Sequence, residues 1–311
     1  MKSIFNILSN YFKSYFHLKL YLSIGTLLIV LISFNYYLDF EDNYLDTIDS
    51  DFSRFGAMFL FQALPYLFSV YILFAFKRIP NPFKSAPFWI LVTLGFTFLA
   101  LDRSVNFSLF IHTYITDLDY TFTRKIANFL SGLMLIITPI VTLSYLTGNK
   151  HAVYGLFGKF NGLKPYASLL LGSFICVFLG GFFSDIQSYY PLFLQDNPEY
   201  FQQATGISKN YSLLMYEIPY ALSFVSVELF FRGFLIFAFL KYLGKYAILP
   251  MAVTYCVLHF GKPMTEAISS IFGGLILGII AIKHKNIRGG ILIHVGMAWS
   301  MEIIGYLHKI F

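Results

Sequence analysis

Nine long apolar stretches alternate with short polar loops, and this alternation limits the folds that the chain can adopt. The stretches cover residues 20–38, 55–76, 87–111, 126–147, 166–186, 211–240, 246–260, 265–282 and 289–308. A helix that crosses a bilayer needs about 20 apolar residues. Only 12% of the residues are charged, whereas soluble domains carry about 25%. The sequence therefore predicts an all-α, polytopic membrane helical bundle with about nine transmembrane helices.

Basic residues gather in alternate loops and indicate how the bundle is oriented. They are Lys77, Arg78, Lys84, Lys150, Lys159, Lys164, Lys241, Lys245, Lys283, Lys285 and Arg288. Because basic loops stay in the cytoplasm, the N-terminus is expected there, with the protein integral to a bacterial inner membrane. Four basic residues fall on the outer side and do not follow this rule: Arg54, Arg124, Lys125 and Lys262. The net charge of +6 is thus explained by membrane orientation and does not indicate nucleic-acid binding. The first stretch lacks a small-residue cleavage site after it and is expected to be a retained span.

A polar connection at 187–210, among the longest in the chain, suggests a division into regions. It contains Asn197-Pro198 and Gly206, which favour turns. We predict a transmembrane scaffold of five spans at 1–186, an extracytoplasmic loop at 187–210 and a core of four spans at 211–311.

Local composition predicts how some of these segments pack. Residues 1–19 mix lysines with Phe and Leu and are expected to lie at the membrane interface. Pro219 removes a backbone donor and is expected to kink the sixth stretch. Ser270, Gly274 and Gly278 line one face of the eighth stretch, which allows tight helix packing in lipid.

Ionisable side chains interrupt the apolar stretches of the predicted core. Glu228 and Arg232 are four residues apart, so on a helix they share a face and can pair. A charge at bilayer depth is costly unless it is paired, and it usually marks a functional site. Two later stretches each carry a histidine, His259 and His294. We expect these three helices to meet around a polar site inside the membrane.

Two further acids are candidates for the same site. Pro263 suits the first position of a helix, which would put Glu266 in the first turn, close to His259. A carboxylate at that position also stabilises the helix N-terminus, so a purely structural role is open. Glu302 follows His294 by eight residues and shares its helix face.

This set of residues suits peptide hydrolysis by either of two schemes. Glu228, His259 and His294 could hold a divalent metal, most simply zinc, with an open position for water. Alternatively, a desolvated glutamate could act as general base while the histidines stabilise the developing negative charge. The residue pattern leaves both schemes open.

The order of these motifs resembles the CAAX-protease and bacteriocin-processing (CPBP, Abi) family of intramembrane metalloproteases. That family carries Glu-Glu-x-x-x-Arg, then Phe-x-x-x-His, then His-x-x-x-Asn/Asp on successive helices. The corresponding stretches here are Val227-Glu228…Arg232, Tyr255…His259 and His294…Ala298. The resemblance implies an intramembrane endopeptidase that acts on a protein or peptide substrate, with roles for Glu228, Arg232, His259 and His294.

Two positions depart from the family pattern. Val227 stands where the family's first glutamate activates water, and Ala298 stands where an Asn or Asp helps to bind the oxyanion. One hypothesis is that Glu266 or Glu302 supplies the missing base. The alternatives are a non-catalytic relative that acts as a binding or immunity-type membrane protein, and a transporter or channel. An inverted repeat, which would favour a transporter, is not visible.

Overall fold

The computed structural model describes residues 2–105, 120–148, 152–160, 162 and 164–310. Helices account for nearly all regular structure in these ranges, and no strand occurs within them. Seven of the helices are long and apolar enough to cross a membrane. The described part of the chain is therefore an all-helical bundle of an integral membrane protein.

We number the ten principal helices α1 to α10 in chain order. They are α1 Lys2–Tyr15, α2 Leu18–Leu38, α3 Asp51–Ala75, α4 Ala86–Ser104, α5 Thr121–Leu146, α6 Lys164–Gly180, α7 Lys209–Phe237, α8 Ile248–Val257, α9 Met264–His284 and α10 Arg288–Ile310. Short helices cover Ser184–Tyr189, Leu192–Gln195, Pro198–Thr205 and Leu240–Leu243, and 3-10 turns cover Pro82–Lys84 and Gly244–Ala247. A π-helical turn covers Glu41–Leu45.

Each of the nine predicted stretches corresponds to one helix from α2 to α10. The two that fall outside the seven long spans are α6, with 17 residues, and α8, with 10 residues. Residues 106–111, the predicted end of the third stretch, lie outside the described residues. The prediction of an all-α membrane bundle is confirmed.

The core lies where the second half of α7 packs against α8. Every residue of α8 is buried, and the six residues Leu229–Phe234 of α7 are buried as well. Such helices are apolar on all sides because protein surrounds them. A polar side chain in this region therefore needs a partner within the protein.

Helix α7 changes its hydrogen-bonding pattern next to the charged pair. The α-helix runs from Lys209 to Glu228 through Pro219, and a π-helical turn follows at Leu229–Phe234. Proline was expected to kink this helix, but the irregular segment lies ten residues later and contains Arg232. Single π-helical turns inside α-helices are frequent at functional sites.

Small residues let α9 approach α8 closely. A Cβ atom at Gly274 would lie 3.4 Å from the Cα of Ala252, and one at Gly278 would lie 2.8 Å from the Cε of Met251. The predicted small face of α9 therefore packs on α8. This contact brings the start of α9 next to the turn that follows α8.

The N-terminal and C-terminal regions pack against each other along several helices. Helix α3 contacts α8, α5 contacts α7, and α6 contacts α10. The predicted interfacial segment at the N-terminus is α1, which contacts α9. The site described below is therefore built from both regions.

Candidate active site

A cavity of about 540 Å³ opens between α6, α7, α9 and α10. Its volume lies in the range of ligand pockets, roughly 300–1,000 Å³. Four of the six predicted catalytic residues line it: Arg232, His259, Glu266 and His294. The other two, Glu228 and Glu302, lie outside its lining. The structure thus brings both imidazoles and one of the two surplus acids to a single pocket.

Glu228 lies behind the cavity wall, where its carboxylate contacts the side chains of Arg232 and His294. Its Oε1 atom is 3.0 Å from Arg232 NH1 and 3.1 Å from His294 Nδ1. Glu228 and Arg232 are 0% and 1% exposed, so neither charge reaches solvent. The predicted helix pair is present. The carboxylate accepts from His294 Nδ1, which fixes the orientation of that imidazole.

Gly290 of α10 allows Glu228 to fit. A Cβ atom at this position would overlap Glu228 Oε2 and would lie 3.2 Å from Cδ. The absence of a side chain lets α10 approach α7 closely enough for His294 to reach the carboxylate. This glycine is therefore part of the support of the site.

His259 lies in the turn after α8, whereas the sequence had placed it on a helix. Helix α8 ends at Val257, and 3-10-type bonds then join His259 N to Cys256 O at 3.0 Å. The Nδ1 atom of His259 is 2.8 Å from the carbonyl oxygen of Tyr255. Because a carbonyl only accepts, Nδ1 carries the proton. Nε2 therefore presents a lone pair to the cavity.

Glu266 faces that lone pair from the first turn of α9. Its Oε1 atom is 3.8 Å from His259 Nε2 and 2.6 Å from Lys262 Nζ. Its Oε2 atom accepts a hydrogen bond of 2.9 Å from the hydroxyl of Tyr190. Burial opposes the charge on Lys262, but the Glu266 carboxylate outweighs this effect and raises the pKa of the lysine above its usual value. Glu266 is thus held as a carboxylate beside the imidazole.

The turn that carries His259 is held in place by the end of α2. The hydroxyl of Tyr36 donates to the carbonyl of Lys262 at 2.7 Å and lies 3.3 Å from that of His259. The side-chain amide of Asn35 donates to the carbonyl of Phe260 at 3.2 Å. The N-terminal region therefore orients a residue of the site.

Glu302 contacts the backbone of the predicted extracytoplasmic loop. Its two oxygens accept from the amides of Leu192, at 2.8 Å, and Phe193, at 3.4 Å. These bonds fix the segment that places Tyr190 against Glu266. The proposed role of Glu302 as a base stays a prediction, and its hydrogen bonds account for its burial.

The side chains do not fit the predicted zinc site of Glu228, His259 and His294. Both ring nitrogens of His294 are engaged, Nδ1 with Glu228 and Nε2 with the hydroxyl of Tyr255, each at 3.1 Å. In the described ranges, no group of three or more His, Cys, Asp or Glu side chains is placed to hold a metal ion. Metal dependence is untested and is left to a chelator experiment, and no chemical step below depends on a metal.

Sequence reasoning missed Tyr255, Tyr190 and Lys262, all of which line the cavity. Lys262 did give a signal, because it was a basic residue on the outer side of the bundle. Its spacing of four from Glu266 also allowed a pair. Tyr190 gave no signal, since its contact with Glu266 spans 76 residues.

The two residues that depart from the family pattern, Val227 and Ala298, lie in different surroundings. Val227 packs against the main apolar cluster and does not line the cavity. Ala298 does line it, one helical turn after His294. The space for an oxyanion-binding side chain is therefore present, but the side chain is not.

The comparison with protein families covers the helices that carry this site. Residues 210–300 match the family model described as type II CAAX prenyl endopeptidase Rce1-like. The matched segment contains both members of the buried pair, both histidines and Glu266. No curated protein and no solved structure matches the chain. Over residues 210–300, the chain is thus similar to the CAAX-protease (CPBP) family.

Proposed function

We propose that the chain is an intramembrane endopeptidase that hydrolyses a peptide bond of a membrane-associated protein or peptide. The observation that carries the proposal is the pair formed by His259 and Glu266, with Nε2 and Oε1 3.8 Å apart. Both side chains face a cavity that also contains His294. The basic loops support an orientation with the N-terminus in the cytoplasm of a bacterial inner membrane.

The gap between His259 and Glu266 suits one water molecule. A lone pair on Nε2 and a carboxylate oxygen repel each other unless a donor lies between them. A water that gives one hydrogen to Nε2 and the other to Oε1 satisfies both atoms. Its own lone pairs then point into the cavity. Two acceptors that hold a water in this way prepare it for attack on a carbonyl.

The hydrogen-bond partners of His259 and Glu266 determine which of the two takes the proton from the water. Lys262 and Tyr190 weaken Glu266 as a base, so His259 Nε2 takes the proton as the water oxygen attacks the carbonyl carbon. The carbonyl electrons move to oxygen and form the tetrahedral oxyanion. Glu266 stabilises the imidazolium. When the C–N bond breaks, His259 gives its proton to the leaving amine.

The lining of the cavity supports a substrate segment that is largely apolar. Leu169 of α6, Phe272 and Ile276 of α9, and Met297 of α10 form much of the wall. Phe272 is 62% exposed on the outside of the bundle, where the protein meets lipid. A substrate tail that reaches the site from the membrane would match this surface.

The test is cleavage by the full chain in vesicles of phosphatidylethanolamine and phosphatidylglycerol. The probe is a positional-scanning library of myristoylated, internally quenched peptides, with cleavage sites read by mass spectrometry. We expect Glu266→Gln to lower the rate at least about 100-fold, because the amide no longer stabilises the His259 imidazolium and so impairs general-base catalysis, which contributes 10²–10⁴. Glu217→Gln is the matched control, because this acid of α7 also lies in a membrane helix but outside the cavity lining, and it should retain activity.

A relative that binds peptide without cleaving it is the second candidate. Val227 and Ala298 favour it, because two positions of the family pattern lack a polar side chain. Such a protein would retain the library peptides on the vesicles and would release no fragment. That result would contradict the proposed hydrolase.

A further inference from the structure

Tyr255 contacts each of the two histidines and the buried arginine. Its hydroxyl oxygen is 3.1 Å from His294 Nε2, and its carbonyl oxygen is 2.8 Å from His259 Nδ1. The guanidinium carbon of Arg232 lies 3.9 Å from the centre of its ring. Tyr255 is 4% exposed and lines the cavity. The family pattern has phenylalanine at this position, so the hydroxyl is an addition in this chain.

The surroundings of this hydroxyl favour donation into the cavity. Glu228 accepts from His294 Nδ1. Nε2 of the neutral imidazole is therefore an acceptor, and the Tyr255 hydroxyl donates to it in the absence of substrate. An oxyanion in the cavity is a stronger acceptor than this neutral nitrogen, so the O–H turns to it when negative charge develops there. Arg232 over the ring holds the side chain in place and withdraws electron density, which strengthens the donor.

Ala298 leaves the neighbouring position without a polar group. It lies one turn after His294 on the same face of α10, and it lines the same cavity. The family places an Asn or Asp here to help bind the oxyanion. We infer that the Tyr255 hydroxyl is a catalytic residue that donates a hydrogen bond to the oxyanion in place of that side chain. The inference rests on the proposed function and assigns the group that stabilises its oxyanion.

The step is a change of hydrogen bonding with no covalent change at Tyr255. As water oxygen bonds to the carbonyl carbon, the C=O electrons move to oxygen, and the hydroxyl donates to that oxygen. Negative charge therefore develops near the cationic Arg232 guanidinium, which lies against the Tyr255 ring. When the C–N bond breaks, the carbonyl reforms and the hydrogen bond weakens. A donor fixed before the reaction stabilises the transition state more than the substrate.

The experiment compares Tyr255→Phe, Tyr66→Phe and the double variant Tyr255→Phe/Ala298→Asn. Each is the full chain in the same vesicles, with the best peptide of the library as probe. Tyr255→Phe restores the residue of the family pattern and removes only the hydroxyl. Tyr66 of α3 is buried, lies outside the cavity lining and has a hydroxyl without a hydrogen-bond partner among the described residues, so its variant controls for loss of a buried tyrosine hydroxyl.

We expect Tyr255→Phe to lower kcat about 100-fold with KM within threefold of wild type, as loss of one oxyanion donor does. Tyr66→Phe should keep kcat within threefold. The double variant should regain at least about tenfold, because the introduced side-chain amide would supply a donor from the other side. Retention of more than a third of kcat by Tyr255→Phe, or no recovery in the double variant, would overturn the inference. Cleavage by wild type would leave the proposed function standing in both cases, whereas absence of cleavage by wild type would overturn both.

Discussion

Gly290→Ala should destabilise the protein by about 3 kcal/mol, although the change adds a single methyl group. The new Cβ would overlap Glu228 Oε2 and lie 3.2 Å from Cδ, so the carboxylate must move. Forcing extra volume into a packed core costs about 1–3 kcal/mol. Displacement also lengthens the contacts of Oε1 with Arg232 and His294, now 3.0 and 3.1 Å. Each such contact inside a membrane contributes about 0.6 kcal/mol on average, and the total is therefore about 3 kcal/mol.

The assay is reversible unfolding of the purified protein in maltoside micelles titrated with dodecyl sulfate. Gly25→Ala in α2 is the matched control, because no atom lies within 4 Å of a Cβ at that position. Its free energy of unfolding should stay within about 1 kcal/mol of wild type, the usual difference between glycine and alanine in a helix. If Gly290→Ala also stays within about 1 kcal/mol, the packing of α10 on Glu228 described above is wrong.

Three further predictions concern the support of the site and the metal. Tyr36→Phe removes the hydrogen bond to the Lys262 carbonyl and should cost about 0.5–1.5 kcal/mol in the same unfolding assay, whereas an unchanged value would contradict that bond. Glu302→Gln should speed cleavage by proteinase K within 187–210, since it weakens the hold on Leu192 and Phe193. A protection pattern equal to wild type would count against this role. Incubation with 1,10-phenanthroline should leave the rate of peptide cleavage within twofold of the untreated protein, because both ring nitrogens of His294 are engaged. Inhibition that added zinc reverses would show that the histidines rearrange around a metal.

The features of the fold that depend on local pattern could be predicted from the sequence. Apolar length located each membrane helix, and the spacing of Glu228 and Arg232 gave their pair. The small face of α9 was also evident from spacing. These features depend on residues within one or two helical turns of each other, and such relations are visible in a sequence.

The parts that could not be predicted depend on contacts between distant residues. The turn containing His259 is fixed by Tyr36, which is 223 residues away. Nothing in the sequence connects Tyr190 with Glu266. The position of His259 after the end of α8, instead of on it, depends on the local backbone bonds of the turn. Tyr255 stands where the family has phenylalanine, and only the structure places its hydroxyl beside His294.

The attachment of the His259 turn to α2 affects how the protein can be divided. A fragment restricted to the matched residues 210–300 would lack Asn35 and Tyr36 and also the α6 wall of the cavity. Such a fragment would retain every family motif that this chain has. The turn that carries His259 would nevertheless lose its hydrogen bonds to α2. Transfer of the domain to another membrane protein would therefore require grafting helices that begin well upstream of residue 210.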